Sequence, residues 1–109
     1  MVPTGDHLDL LFDALANQSR RELVLRLRGG PFATPEISKQ FGFTRQALNR
    51  HILLLRAAGL VTAKTHGRVQ ELSLNPAPLD RITTWVRELQ RGWAASLDRL
   101  DRVLHESRH

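Results

Sequence analysis

A mainly α-helical fold that turns into one β-hairpin and then runs out along a single long helix is predicted by three features of the 109-residue sequence. Apolar residues recur at spacings of three and four through the first half. They switch to short β-compatible runs between Leu60 and Leu74, and return to the helical spacing from Leu79 onward. A chain of this length supports one core, so residues 1–109 are read as a single domain. With 41% apolar and 25% charged residues the composition is globular rather than that of a disordered tail.

Leu8, Leu11, Phe12 and Leu15 follow an i, i+3, i+4, i+7 pattern, which predicts a first helix over residues 5–16 that Asn17 interrupts. Ser19-Arg20-Arg21-Glu22 reads as a capping box for a second helix, whose face of Leu23, Val24 and Leu27 ends at Gly29-Gly30-Pro31. Thr34 can cap a short third helix with Pro35 at its first position, and Phe41-Gly42 closes it. Thr44 is the next cap, before a fourth helix that runs to Ala58 with Gly59 behind it. Only Gly42 and Phe43 separate these two helices, so residues 34–58 carry a helix-turn-helix pattern.

Residues 60–74 then read as two strands joined at His66-Gly67, with Lys64, His66 and Arg68 at the tip. A basic hairpin directly after a helix-turn-helix describes a winged helix, here about five helices plus a two-stranded wing. Asn75-Pro76-Ala77-Pro78 stops the second strand. A last helix over 79–105 carries Leu79, Ile82, Val86, Leu89, Trp93, Leu97, Leu100 and Leu104 on one stripe, which Trp85 widens. Some 26 residues at ~1.5 Å each reach ~39 Å, past a body whose radius of gyration is expected near ~13 Å. One copy cannot cover that stripe. A two-fold homodimer through the terminal helices is expected, with Leu8, Leu11, Phe12, Leu15, Trp85, Leu89, Trp93, Leu97 and Leu100 at its interface.

The net charge of +5 points to a polyanionic partner, and its distribution is more informative than its size. From Ile37 to Gln70 there is no acid, while Lys39, Arg45, Arg50, Arg56, Lys64 and Arg68 make this window +6. Double-stranded DNA is the expected partner. The absence of cysteine excludes disulfides, thiolate metal sites and cysteine nucleophiles. No signal peptide or membrane span can be drawn, so a cytoplasmic protein without membrane partners is expected. His105 to His109 match H-E-x-x-H, yet catalytic zinc of that kind needs a third ligand and a walled cleft that nothing after His109 supplies. No enzyme and no cofactor are expected, and His7, His105 and His109 stay open only to adventitious or regulatory metal. The alternative to a DNA-binding regulator is a winged helix that has kept its shape and holds another protein.

The segment TRQALNRHILLLRAAGLV, Thr44 to Val61, resembles the recognition-helix signature of ArsR/SmtB-type bacterial repressors. Phe12 to Leu27 resembles that family's second-helix region, and Gly67 to Leu100 its wing and last helix. The resemblance implies a homodimer of winged helices that binds an operator and blocks transcription, and it implies no particular effector. Arsenic-type sensors of the family carry a cysteine pair in the third helix, whereas Thr34 to Phe41 has none. Zinc-type sensors place a histidine two residues after an aspartate in the last helix, whereas Asp80 here is followed by Ile82. The two tryptophans of the last helix are similar to a subgroup of short autorepressors without metal sites, and no metal site is expected.

At about 100° per residue the fourth helix has a wet face of Arg45, Gln46, Asn49, Arg50, Leu53 and Arg56 and a dry one of Ala47, Leu48, His51, Ile52, Leu54 and Leu55. Arginine can pair with guanine O6 and N7, and asparagine or glutamine with adenine N6 and N7, so Arg45, Gln46, Asn49 and Arg50 are the expected base readers. Arg56 lies too far along the helix and suits solvent or phosphate, and Lys39 is a weaker phosphate candidate. Thr44 is read first as a cap and second as a phosphate contact. His51 falls among apolar neighbours and is read as a hydrogen-bonded structural histidine ahead of a DNA contact. Leu53 stands where the family commonly has lysine, leaving open a lost phosphate contact or packing on a thymine methyl. Lys64 and Arg68 of the wing suit phosphates or an A·T minor groove.

Overall fold

The computed structural model describes residues Thr4–Ser107, with side chains from His7 onward. The order is α1 (Thr4–Leu15), α2 (Gln18–Leu27), β1 (Phe32–Ala33), α3 (Thr34–Phe41), α4 (Arg45–Ala57), β2 (Val61–His66), β3 (Val69–Leu74) and α5 (Leu79–Glu106). The expected five helices and hairpin are present in a mainly helical winged-helix arrangement. Two compact units divide the chain, one ending at Leu79 and one beginning at Asp80.

In the first unit, Leu11, Leu23, Leu27, Ile37, Leu55, Leu60 and Leu72 are fully buried, each stabilising the fold by roughly 1.5–3 kcal/mol relative to exposure. This core draws on α1, α2, α3, α4 and the sheet, so every element of the unit is tied to it. Leu11 belongs here. At 0% exposure it is sealed inside the unit, which corrects its assignment to a dimer interface.

Asn17 both breaks the first helix and starts the second. Its side-chain oxygen accepts from Arg20 N at 3.1 Å, so α2 begins at Gln18 and the Ser19–Glu22 capping box does not form. Glu22 instead accepts from Gln18 Nε2 at 3.1 Å. The last carbonyls of α1 have no partner within their own helix. Arg20 and Arg21 reach back to them: Arg20 Nε donates to Ala14 O at 2.7 Å and Nη2 to Asp13 O at 3.1 Å, while Arg21 Nη1 donates to Leu15 O at 2.8 Å.

The sheet has three strands in the order β1-β3-β2, one more than the two-stranded wing expected. Phe32 pairs with Leu72 and Ala33 with Glu71. Two residues are too short to show a period, but they change how α3 begins. Because Ala33 is held extended against β3, it takes the cap position with no side-chain hydrogen bond, and Thr34 is already helical. Pro35 therefore falls one place later than the sequence suggests, still within the first turn where its missing N–H is not needed. The wing turn also moves by one residue. His66 pairs with Val69, leaving Gly67-Arg68 as the two-residue loop, with Gly67 at φ +64° and Arg68 not at positive φ. That pattern matches a type II′ hairpin, which asks for glycine at its first central position.

The second unit is α5 beyond its first residue. It buries none of its side chains, and Leu89, Trp93, Leu97, Leu100, Val103 and Leu104 are each more than 45% exposed.

Candidate nucleic-acid interface

Thr44 opens α4 as the sequence predicts, its hydroxyl accepting from Ala47 N at 3.1 Å. Just before it, Gly42 ends α3 at φ +72°, donating its N–H to Ser38 O at 2.8 Å. A residue with a Cβ disfavours that left-handed conformation, so glycine makes the sharp turn possible. Phe41 and Phe43 stack across it with ring centroids 5.4 Å apart, and Phe43 lies 4.7 Å from the His51 ring at a tilt of 50°. This aromatic run sets where α4 leaves the turn.

Leu48, Ile52 and Leu55 point α4 into the core, which turns its opposite face outward. Arg45, Gln46, Asn49, Arg50, Leu53 and Arg56 are all exposed. Asn49 sits between two clefts. One is lined by Thr34, Ser38, Phe43 and Arg45 as well, and the other by Leu53, Arg56 and Gln70 of the wing. Leu53 is 68% exposed, so the apolar side chain on this face is not drawn into the core.

In the wing, Leu72 is buried and shares a face with its register partner Ala63, and strand alternation puts Thr65 and Gln70 on that same face. Lys64 and His66 fall on the other face. There Lys64 is opposite Glu71, and His66 Nε2 is 3.8 Å from a Glu71 carboxylate oxygen. The acid that bounds the basic window in sequence thus folds back beside two of the wing's basic side chains. Arg68 occupies the turn and is exposed. Gln70 was not singled out from the sequence, although the alternation with Leu72 was signal enough. Lys39, on α3, is also exposed.

His51 is half-buried, as its place on the helical wheel suggests. Its Nδ1 is 3.2 Å from Arg20 Nη1. A guanidinium can only donate, so Nδ1 accepts and the neutral ring carries its hydrogen on Nε2. Burial, then the charges of Arg20 and Arg50, hold the His51 pKa below its ordinary value. Burial and the Arg50 charge lower that of Arg20 in turn, with Asp13 acting the other way. No sequence pattern marks Arg20 as a partner of α4.

Among the described residues no three His, Asp or Glu side chains come together as a metal site. His109 of the H-E-x-x-H match lies outside them. No helix among the described residues is long and apolar enough to cross a membrane.

A family model described as a helix-turn-helix domain matches residues 15–63, from the end of α1 through the first half of β2. The crystal structure of an ArsR family transcriptional regulator superposes with a TM-score of 0.79 at 29% identity, covering 86% of this chain and 97% of that one. The HTH-type transcriptional regulator Rv2034 of Mycobacterium tuberculosis is 33% identical over 89 residues, which are 82% of this chain and 80% of that protein. The chain belongs to the ArsR/SmtB family. It is a winged-helix, DNA-binding transcriptional regulator. The transcriptional repressor SdpR of Bacillus subtilis is 24% identical over 76 residues, 70% of this chain and 84% of that protein.

Proposed function

We propose that the protein is a homodimeric repressor that reads an inverted-repeat operator with α4 and occludes a promoter. The observation that carries this reading is the exposed row of Arg45, Gln46, Asn49 and Arg50 along the first two turns of a capped helix. Those side chains have the donors and acceptors that base edges present in the major groove, each good bidentate pair discriminating by about 1–3 kcal/mol. Thr44 serves as the cap, Arg56, Arg68 and Lys64 supply attraction to phosphates, and Lys64 does so weakly because Glu71 stands across from it. Gln70 adds an amide to the cleft that Asn49 and Arg56 line.

A second copy covers the stripe of α5, where Trp93 is 66% and Leu89 59% exposed. Trp85, Leu97 and Leu100 belong to the same proposed surface, with Leu8, Phe12 and Leu15 of α1 as further contributors. Two copies related by a two-fold axis present two recognition helices, which reach successive major grooves when they are ~34 Å apart. Repression is supported by the likeness to a named repressor.

The test selects duplexes from a random-sequence pool with the wild-type chain and compares the winner with a scrambled duplex. Arg50→Ala is expected to weaken the selected duplex at least tenfold more than the scrambled one. Equal weakening of both removes Arg50 as a base reader, and a wild type that selects nothing and retards no duplex at low salt favours the protein-binding alternative.

A further inference from the structure

The apolar packing of Leu48, Ile52 and Leu55 keeps α4 on the body, but methyl and methylene contacts are not directional and tolerate a small roll of the helix. Bidentate pairing with a base does not, since hydrogen bonds weaken steeply as their angle opens. Something directional must therefore set the roll. The Arg20 guanidinium is placed to do so. Its three nitrogens each meet a different acceptor: Nε the carbonyl of Ala14, Nη2 that of Asp13, and Nη1 the ring nitrogen of His51. Two of these are in the last turn of α1, and the third is on α4, directly beside Arg50. A planar fork bound at three points has no freedom left to rotate.

We infer that Arg20 is a positioning residue for DNA recognition, fixing the roll of α4 against α1 so that Arg45, Gln46, Asn49 and Arg50 meet the base edges in register. The inference rests on the proposed reading of that face of α4. It also explains why a basic residue is tolerated beside the equally basic Arg50, whose charge disfavours that of Arg20. The carbonyls of α1 and Asp13 hold Arg20 on its inner side, which leaves Arg50 free to face an anion. The charges that act on the clamp include Arg50 from α4, on both Arg20 and His51, and Asp13 from α1, on Arg20. Phe43, from the turn, packs on the ring of His51 and supports the orientation its Nδ1 needs.

The experiment uses the full chain and measures affinity for the duplex that the wild type selects from a random pool and for a scrambled duplex, with a thermal melt of each variant. Arg20→Lys keeps the charge but cannot reach three acceptors, and it is expected to lower the ratio of selected to scrambled affinity about tenfold, with scrambled binding within about twofold of wild type. Arg20→Met is expected to do the same or more, and His51→Leu to lower the ratio on its own. Adding Arg20→Met to His51→Leu is expected to lose less than the two single losses combined, because both break one contact. A merely structural role reduces the amount of folded protein and so lowers both affinities in proportion. Proportional loss, or an unchanged ratio in folded Arg20→Lys, overturns the inference. Where Arg20→Met fails to fold, Arg20→Lys and His51→Leu decide the question. A wild type that does not distinguish the two duplexes sinks the reading of α4 as well, whereas proportional losses in a discriminating wild type sink only the role of Arg20.

Discussion

His51 has to be neutral to accept from Arg20, and its surroundings keep it so. Burial first, then Arg20 and Arg50, hold its pKa below the ordinary 6.5. Between the lowered value and 6.5 the unfolded chain binds a proton that the folded chain refuses, so stability rises with pH across that interval and falls on acidification through it. His51→Gln, whose side-chain oxygen can still accept, is expected to flatten this acid-side slope. Melting temperatures measured from neutral into the acid range check it, and a slope unchanged by the substitution contradicts it. The sequence already placed His51 on the dry side of α4, because a helical wheel needs only neighbours a few positions away. It could not show Arg20 as its partner, 31 positions distant and on another helix.

At the scale of elements, the start of α4 depends on one hydroxyl. Thr44→Ala removes the acceptor for Ala47 N and is expected to destabilise the fold by about 0.5–2 kcal/mol, read from thermal or denaturant unfolding, while Thr44→Ser keeps most of it. A fully stable Thr44→Ala with weakened DNA binding would make the hydroxyl a phosphate contact instead. Caps and breaks were legible where side chain and helix are close in sequence, as at Thr44 and Gly42. They differ at Ser19 and Thr34: Asn17 starts the helix two residues earlier by capping the amide of Arg20, which leaves Ser19 inside its first turn, and the short pairing of Phe32 and Ala33 with β3 pre-empts the cap of α3. The wing turn slipped by one residue because two glycine-containing dipeptides fit the loop and only pairing with β3 selects between them.

For the whole molecule, charge and the α5 stripe lead to separate expectations. If a dimer neutralises about eight phosphates, log K against log salt falls with a slope of about −7, and Arg68→Ala flattens it by about one unit per subunit, as titrations over a salt series will show. Arg68 left out of the contact leaves the slope unchanged. Leu97→Asp places an unpaired charge in the proposed seam, which costs several kcal/mol, and is expected to yield monomers by sedimentation and to weaken operator binding without touching α4. A Leu97→Asp chain that sediments as the wild type and binds as well excludes this stripe as the seam.

Helix periods, the Thr44 cap, the glycine turn between α3 and α4 and the polar face of α4 follow from spacing within a few residues, since each depends on neighbours along the chain. Which residues close the core was decided when the elements packed together. Leu11 is sealed inside although it lies on the same stripe as the exposed Phe12, Glu71 comes to stand against the basic wing, and Arg20 links α1 to α4. Such pairings depend on which surfaces meet as the hydrophobic interior forms, and no local pattern carries that information.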